Sequence, residues 1–470
     1  MAQPHLDPLT AVDAAFVLRE DAGRTHTHVG SVALLEGPVP RWEDVLEHVR
    51  CRLHLVPRYR QKLVRPPGRF GRPRWVDDPS FNLEYHLRRA ALPAPGDARR
   101  LTALVSRIIS QRIDRTKPLW ELLVVEGLAD DRWAIIAKTH HALVDGVGSI
   151  DLLSILFDAT DEVGDPDEPP TWLPRPEPTA AQLAAAQLGS AARQLTDLPF
   201  KALSAATRPN EVVDGAKEAL TGVADAVRAG LRPAPDSPLN APIGPHRRVA
   251  FATARLDDLR RVKDVFGGTV NDVVLACVAG GIRALYHHRG QPVGQAELRA
   301  CVPVSTRQGD HGEGHRITPV LAPMPVHLAD PLERLRAVNA AMAHVKDRQR
   351  ALSAEAIVGM EDFAPPTILA QASRLNLSAR LYNVLVTNVP GPQVPLFFLG
   401  QRLRTFYPLP YLGGDRALAV AAMSYDGEVA FGVLGDRDAL PDVDVVSQGL
   451  RAALHELVAL AAGRPTTLKV

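Results

Sequence analysis

Two proline clusters constrain this chain more than any other feature: GDPDEPPTWLPRPEP at 164–178 and RPAPDSPLNAPIGP at 232–245. Proline lacks a backbone N–H and fixes φ, so neither stretch can continue a helix or sit centrally in a sheet. They divide the 470 residues into 1–163, a bridge at 164–245, and 246–470. Between the clusters, EVVDGAKEALTGVADAVRAGL repeats Val213, Ala216, Leu220, Val223, Val227 and Leu231 at helical spacing, which predicts connecting helices. The third segment opens with the strand-like RVAFATARL and alternates strands with helices. The expected fold is two α/β halves joined by a helical bridge, and 46% hydrophobic residues fill cores of that size.

The overall charge is +1, from 54 basic and 53 acidic side chains, so no global field holds nucleic acid. Cys51, Cys277 and Cys301 are too few and too scattered for a disulfide framework or a CxxC metal site, which fits a reducing cytoplasm. The N-terminus lacks the basic and apolar regions of an export signal. No apolar run reaches the roughly 18 residues of a membrane span.

In the first segment, LWELLVVEGL (119–128) and RWAIIAKTHH (132–141) flank a polar ADD turn and are expected to be adjacent antiparallel strands. His140 and His141 thus sit where a strand ends. DGVGSIDLLSILFDA then predicts a glycine turn entering a helix. Adjacent histidines on extended backbone point to opposite faces and share a metal ion poorly, so no metal is expected. No GxSxG elbow supports a serine triad. Two readings stay open: an imidazole acting as general base on a hydroxyl, or two histidines that merely satisfy a strand end. Chance would place HHxxxDG in such a chain about once in a few hundred, which weighs against the second.

HHALVDG resembles the HHxxxDG motif of the bacterial wax ester synthase/diacylglycerol acyltransferase family, a motif similar to those of chloramphenicol acetyltransferase, peptide-synthetase condensation domains and polyketide-associated acyltransferases. Companion segments narrow the resemblance: PLTAVDAAFVL, HVGSVALLEG, VPRYRQKL, IDRTKPLWELLVVEGL, PLNAPIGPHRRVA, GGTVNDVVLACVAGGIR, VPVSTR, TNVPGP and SYDGEVAFGVLGD, in that order. Coverage is nearly end to end.

The resemblance implies two chloramphenicol-acetyltransferase-like α/β domains, 1–163 and 246–470, forming a pseudo-dimer around a central channel and joined by the 164–245 linker. It implies an O-acyltransferase with acyl-CoA as co-substrate, no other cofactor, and diacylglycerol or a long-chain alcohol as acceptor. Such an enzyme makes storage lipid and works at a membrane or lipid-droplet surface, contacted peripherally; residues 211–231 and PLFFLG (395–400) are the segments available for contact, with core packing the expected role of each. His141 falls on the catalytic base and His140 on a supporting position. Asp145 falls on a structural aspartate, for which Arg307 is the expected partner, and Gly146 leaves room for the thioester. Asn271 either contacts the thioester or is a plain helix-start residue. Pro118, Leu119 and Trp120 are expected to pack beneath the histidine turn, and Gly391 of NVPGP to supply a special backbone angle. One departure is His315, where the family usually has Asn after Gly314. The alternatives are a condensation-domain-like or polyketide-associated acyltransferase, or a catalytically silent lipid-binding relative.

Overall fold

The structure, a computed structural model, describes residues 6–22, 26–67, 71–143, 155–164, 168–187, 234–294, 297–307, 315–351 and 381–462. The bridge helices expected at 211–231 therefore lie outside the described residues, although a helical stretch at 180–187 is described; of the helix expected after Gly146 only the end is described, helical at 155–156, with Leu156 and Phe157 buried.

Two six-stranded sheets organise the molecule. The first runs β11(Phe397–Phe398), β12(Gln401–Leu409), β1(His28–Glu36), β6(Arg132–His140), β5(Trp120–Leu128), β4(Leu87–Ala91). β5 and β6 are antiparallel, as the ADD turn requires, and the positive φ of Asp130 and Asp131 closes it. A small ribbon of β2(Gln61–Val64) and β3(Arg74–Asp77) stands apart from this sheet. Helices α1(Ala11–Ala22), α2(Trp42–Arg52), the single turn α3(Leu83–His86) and α4(Ala98–Ser110) belong to the same half of the chain.

The second sheet runs β7(Arg247–Arg255), β14(Glu428–Asp436), β13(Leu418–Tyr425), β10(Val384–Pro390), β8(Leu298–Arg307), β9(His315–Met324). β10 is parallel to both β13 and β8, so the sheet is mixed. Helices α5(Leu256–Phe266), α6(Val270–His288), α7(Pro331–Ala351) and α8(Val443–Ala462) accompany it. The hairpin expected at SYDGEVAFG is β13–β14, with Asp426 and Gly427 both at positive φ in its two-residue turn.

The sheets meet in one continuous apolar core in which Val32 and Ile136 of the first pack with Val249 and Phe431 of the second. β12 lies against β13 and β14. The approach is so close there that a Cβ on Gly432 would lie 1.8 Å from the Pro408 carbonyl oxygen. Beside it, the Phe251 and Tyr407 rings stack at 4.3 Å. β7 is an edge strand, and α4 covers that edge: the N–H groups of Arg247 and Val249 donate to the hydroxyls of Ser110 and Ser106.

NVPGP differs from expectation in one physical detail. Gly391 is not among the glycines of positive φ; it is required because a Cβ there would lie 2.2 Å from the carbonyl oxygen of Ser424 on the neighbouring strand. The constraint is space rather than backbone angle.

Gly432→Ala should destabilise the protein by about 1–3 kcal/mol, because the opposing atom is backbone and cannot turn aside. Urea unfolding followed by circular dichroism measures this; a wild-type midpoint would mean that the sheets do not bear on each other at that point.

Candidate active site

The site is built where β1 begins and β6 ends. Register places His28 opposite His140, and β5 starts alongside, with Trp120 opposite Thr139. Beneath the turn, Leu119 and Trp120 are fully buried, the Trp120 indole N–H donates to the Tyr59 carbonyl, and the His140 N–H donates to the Leu119 carbonyl. These residues pack rather than line, as expected.

After His140 the chain tightens into a 3-10 turn, His141–Leu143, whose Ala142 and Leu143 are buried in the core. The two histidines consequently have different surroundings. His140 is fully buried. Its Nδ1 accepts from the Ala142 N–H at 3.0 Å, so the ring proton is on Nε2, 3.1 Å from a carboxylate oxygen of Glu20. His141 is half-buried; its N–H donates to the Thr27 carbonyl at 2.8 Å, and its ring meets Tyr411 edge-on at 5.2 Å. Tyr411 comes from the far half of the chain, two residues past β12.

Glu20, on α1, organises this turn. One of its oxygens accepts from both the N–H and the hydroxyl of Thr27, and the other faces His140. Burial alone would raise its pKa, but the hydrogen bonds of His140 and Thr27 prevail and hold it down at about 2. A single carboxylate thus fixes Thr27, whose carbonyl holds His141, and His140, whose ring holds Ala142.

Behind His140 the imidazoles continue: the His28 and His140 rings are 5.9 Å apart, and those of His26 and His28 4.6 Å. His26 Nε2 lies 3.0 Å from the Ile109 carbonyl at the end of α4. Burial, reinforced by the nearby Arg247 charge, pushes His26 down to about 4, and burial takes His28 well below its usual value. These rings are neutral at pH 7. Lys138, also fully buried, pairs with Glu121 at 2.8 Å and donates to the carbonyls of Ile108 and Gln111.

Of the other expected residues, Asn271 stands in the first turn of α6 and accepts at 3.4 Å from the Asn388 side chain of TNVPGP. Its neighbour Asp272 closes a capping box with Thr269, so this residue of the pair is a helix-start device. Arg307 ends β8, in register with His315 at the start of β9. Asp145, Gly146 and Gly314 lie outside the described residues. Phe398 of PLFFLG is buried against Trp133 and Phe157. Among the described residues, no group of three His, Cys, Asp or Glu side chains is placed to hold a metal ion, and no single helix is long and apolar enough to cross a membrane.

Sequence reasoning missed Glu20, Thr27, His26, His28 and Tyr411. THTHVG did carry a signal, since His26 and His28 alternate as same-face strand residues do. Glu20 carried none, because of its partners only Thr27, seven residues on, is near in sequence, whereas Arg115 and His140 come from distant segments.

The model of the wax ester synthase/diacylglycerol acyltransferase catalytic domain matches residues 9–274, and that of the family's C-terminal domain matches 313–458. A probable diacylglycerol O-acyltransferase of Mycobacterium tuberculosis is 34% identical, with 98% of each chain covered. Among solved structures, the wax ester synthase/diacylglycerol acyltransferase of Marinobacter aquaeolei VT8 is similar at a TM-score of 0.69 and 28% identity, over 97% of this chain and 100% of that one. The starter condensation domain of rhizomide synthetase shares the two-lobed fold at a TM-score of 0.56 and 14% identity, over 98% of this chain and 96% of that one.

Glu20→Gln should lower kcat at least tenfold with KM nearly unchanged. A Gln amide NH2 facing His140 would require the proton on Nδ1, which collides with the Ala142 N–H, so the turn loses its fixed shape. Wild-type kcat would show that Glu20 does not position His141. Acid stability follows from the same groups. Glu20 and His26 have folded pKa values below their ordinary 4.5 and 6.5, so each contributes stability present above the ordinary value and lost as pH falls through about 2 and about 4 respectively. Urea midpoints should therefore decline from about pH 6.5 downward, and His26→Gln should flatten the decline between pH 6.5 and 4. An unchanged slope in that variant would assign the loss to other groups.

Proposed function

The chain belongs to the wax ester synthase/diacylglycerol acyltransferase family and is an acyltransferase; from that premise we propose that His141 is the general base of a direct transfer from acyl-CoA to the hydroxyl of diacylglycerol or a long-chain alcohol. The observation that carries this reading is the asymmetry of the histidine pair. His140 is fully buried with both ring nitrogens engaged in the interior, whereas His141 is a half-buried residue with a pinned backbone and its ring against Tyr411 of the far half of the chain. A neutral imidazole accepts a hydroxyl proton and returns it to the departing thiolate.

No acyl-carrying nucleophile enters the scheme. The Cys277 thiol, the cysteine inside a family segment, is fully buried in α6 and pushed up to about 12. The hydroxyl therefore attacks the thioester carbon, the C–S bond breaks, and the proton taken by His141 leaves with CoA. Holding both substrates at once replaces a bimolecular encounter in water. Asp145 is assigned a structural role in pairing with Arg307, and Gly146 the space for the thioester. Asn271 is assigned to hold the α6 start against the Asn388 strand, the geometry of its amide favouring positioning over thioester contact.

The setting we assign is storage-lipid synthesis in the cytoplasm, with peripheral contact to a membrane or lipid droplet. Burial of Phe398 leaves that side chain to the core rather than to lipid.

His141→Ala should cut kcat/KM by about 10²–10⁴-fold while the protein melts normally. His140→Ala should do the reverse in emphasis, losing stability by about 1–3 kcal/mol because the Ala142 N–H and one oxygen of Glu20 lose their hydrogen-bond partner. Equal losses of activity with both variants stably folded would overturn the assignment. Enzyme incubated with labelled acyl-CoA alone should carry no acyl group after denaturation, and initial rates with both substrates varied should give intersecting double-reciprocal lines. A stoichiometric acyl-enzyme would end the general-base reading.

A further inference from the structure

A groove of about 1190 Å³ lies between α4 of the first lobe and β7 and the start of α8 of the second. Its charge is out of proportion to the chain's net +1. Besides the buried Arg247, which pairs with Asp436 at 3.5 Å, the lining carries Arg99, Arg107, Arg248, Arg437 and Arg451, against Asp444 as its carboxylate. Arg248 and Asp444 stand 3.8 Å apart. The other four arginines form no ion pair among the described residues. His246 adds an imidazole to the same wall.

Arg99, Arg107, Arg248, Arg437 and Arg451 are exposed along the groove, and their like charges together set up a positive field over it that concentrates anions there and weakens with salt. Guanidinium forks match the oxygen geometry of phosphate, and several converging forks favour a ligand with more than one such group. The volume is at or above the roughly 300–1,000 Å³ of small-molecule sites, which is more than a single phosphate fills. Concavity opposes a flat bilayer, whose headgroups cannot descend between two lobes.

We propose that this groove binds a soluble anion bearing at least two phosphate groups. His141 is not among its lining residues, so the site is distinct from the transfer centre. Its Ser110–Gln111 end nevertheless reaches toward that centre, because the Gln111 carbonyl accepts from Lys138, two residues before His140 on β6. Two sources share the chemistry: the phosphates of CoA itself, in which case the inference rests on the acyl-CoA reading above, or a separate phosphorylated metabolite.

The test is titration calorimetry of the full chain with pyrophosphate and with adenosine 3′,5′-bisphosphate, beside sedimentation with phosphatidylglycerol vesicles. Wild type should bind both soluble anions, more weakly at high salt. The double variant Arg107→Gln/Arg451→Gln should lose at least tenfold in affinity with an unchanged melting temperature, and Arg41→Gln, on a remote surface, should lose nothing. If the double variant fails to fold, Arg99→Gln/Arg437→Gln serves in its place. A rise in KM for acyl-CoA caused by adenosine 3′,5′-bisphosphate in wild type, and abolished in the variant, identifies CoA as the source; binding with no effect on KM identifies a separate ligand. No binding of either anion, equal affinity in the variant, or sedimentation with vesicles alone overturns the proposal. Ester formation by the wild type would stand in each of those cases, so failure of the groove is distinguishable from failure of the transfer reading.

Discussion

The packing of one sheet on the other is the constraint from which the remaining geometry follows. Val32 and Ile136 share a core with Val249 and Phe431, so one face of the first sheet is closed only by the second lobe, while its other face, with Ala33, Leu35 and Ile135, closes on a core of its own. Separation would expose the shared surface to water at roughly 25 cal/mol per Å². At the seam the backbones approach until only hydrogen fits on Gly432. Where β7 would offer an unpaired edge, α4 supplies hydroxyls at one-turn spacing. Ser106 and Ser110 each donate to the carbonyl four residues back in their own helix and accept an N–H from the strand. Each hydroxyl is used twice, and the edge is closed without a further strand.

A buried carboxylate is costly unless its hydrogen bonds are made, and in this protein that cost falls beside the histidine turn. Glu20 receives three donors from two residues, Thr27 and His140, that flank the His141 backbone on opposite strands. The imidazoles of His26 and His28 behind it are kept neutral by burial, so the cation beside the carboxylate is the Arg115 guanidinium, 4.0 Å from the oxygen that faces His140. The polar cluster is thereby satisfied along one side and fixes the turn in one shape.

What the sequence disclosed and what it withheld divide along the range of the interactions. The strands at 119–128 and 132–141, the Asp426–Gly427 turn and the packing of Leu119 and Trp120 were legible because alternation, turn chemistry and apolar runs act over a few residues. The HHxxxDG signature located His140 and His141, and strand geometry alone implied that the two would face differently. Gly391 was recognised as special for the wrong cause, since the oxygen it must avoid belongs to Ser424, 33 positions away. Glu20 was invisible for the same reason: nothing within its own helix announces a carboxylate whose partner is His140.

The transfer of β11 and β12 into the first sheet is the largest such long-range effect, and it bears on the chemistry. These strands follow residue 396, yet β12 pairs with β1, which makes β1 a central strand held between β12 and β6. Register sets Gly30 opposite Leu409 and Lys138 at once. The chain leaving β12 therefore emerges at the end of the sheet where His28 and His140 lie, and two residues later delivers Tyr411 to the edge of the His141 ring. The far half of the chain thus contributes a wall of the site through a strand it lends to the near half. Any slip of β12 by one residue would turn its side chains to the opposite face and remove that wall, which ties the shape of the candidate site to the pairing of two strands more than 370 residues apart in sequence at Gly30 and Leu409.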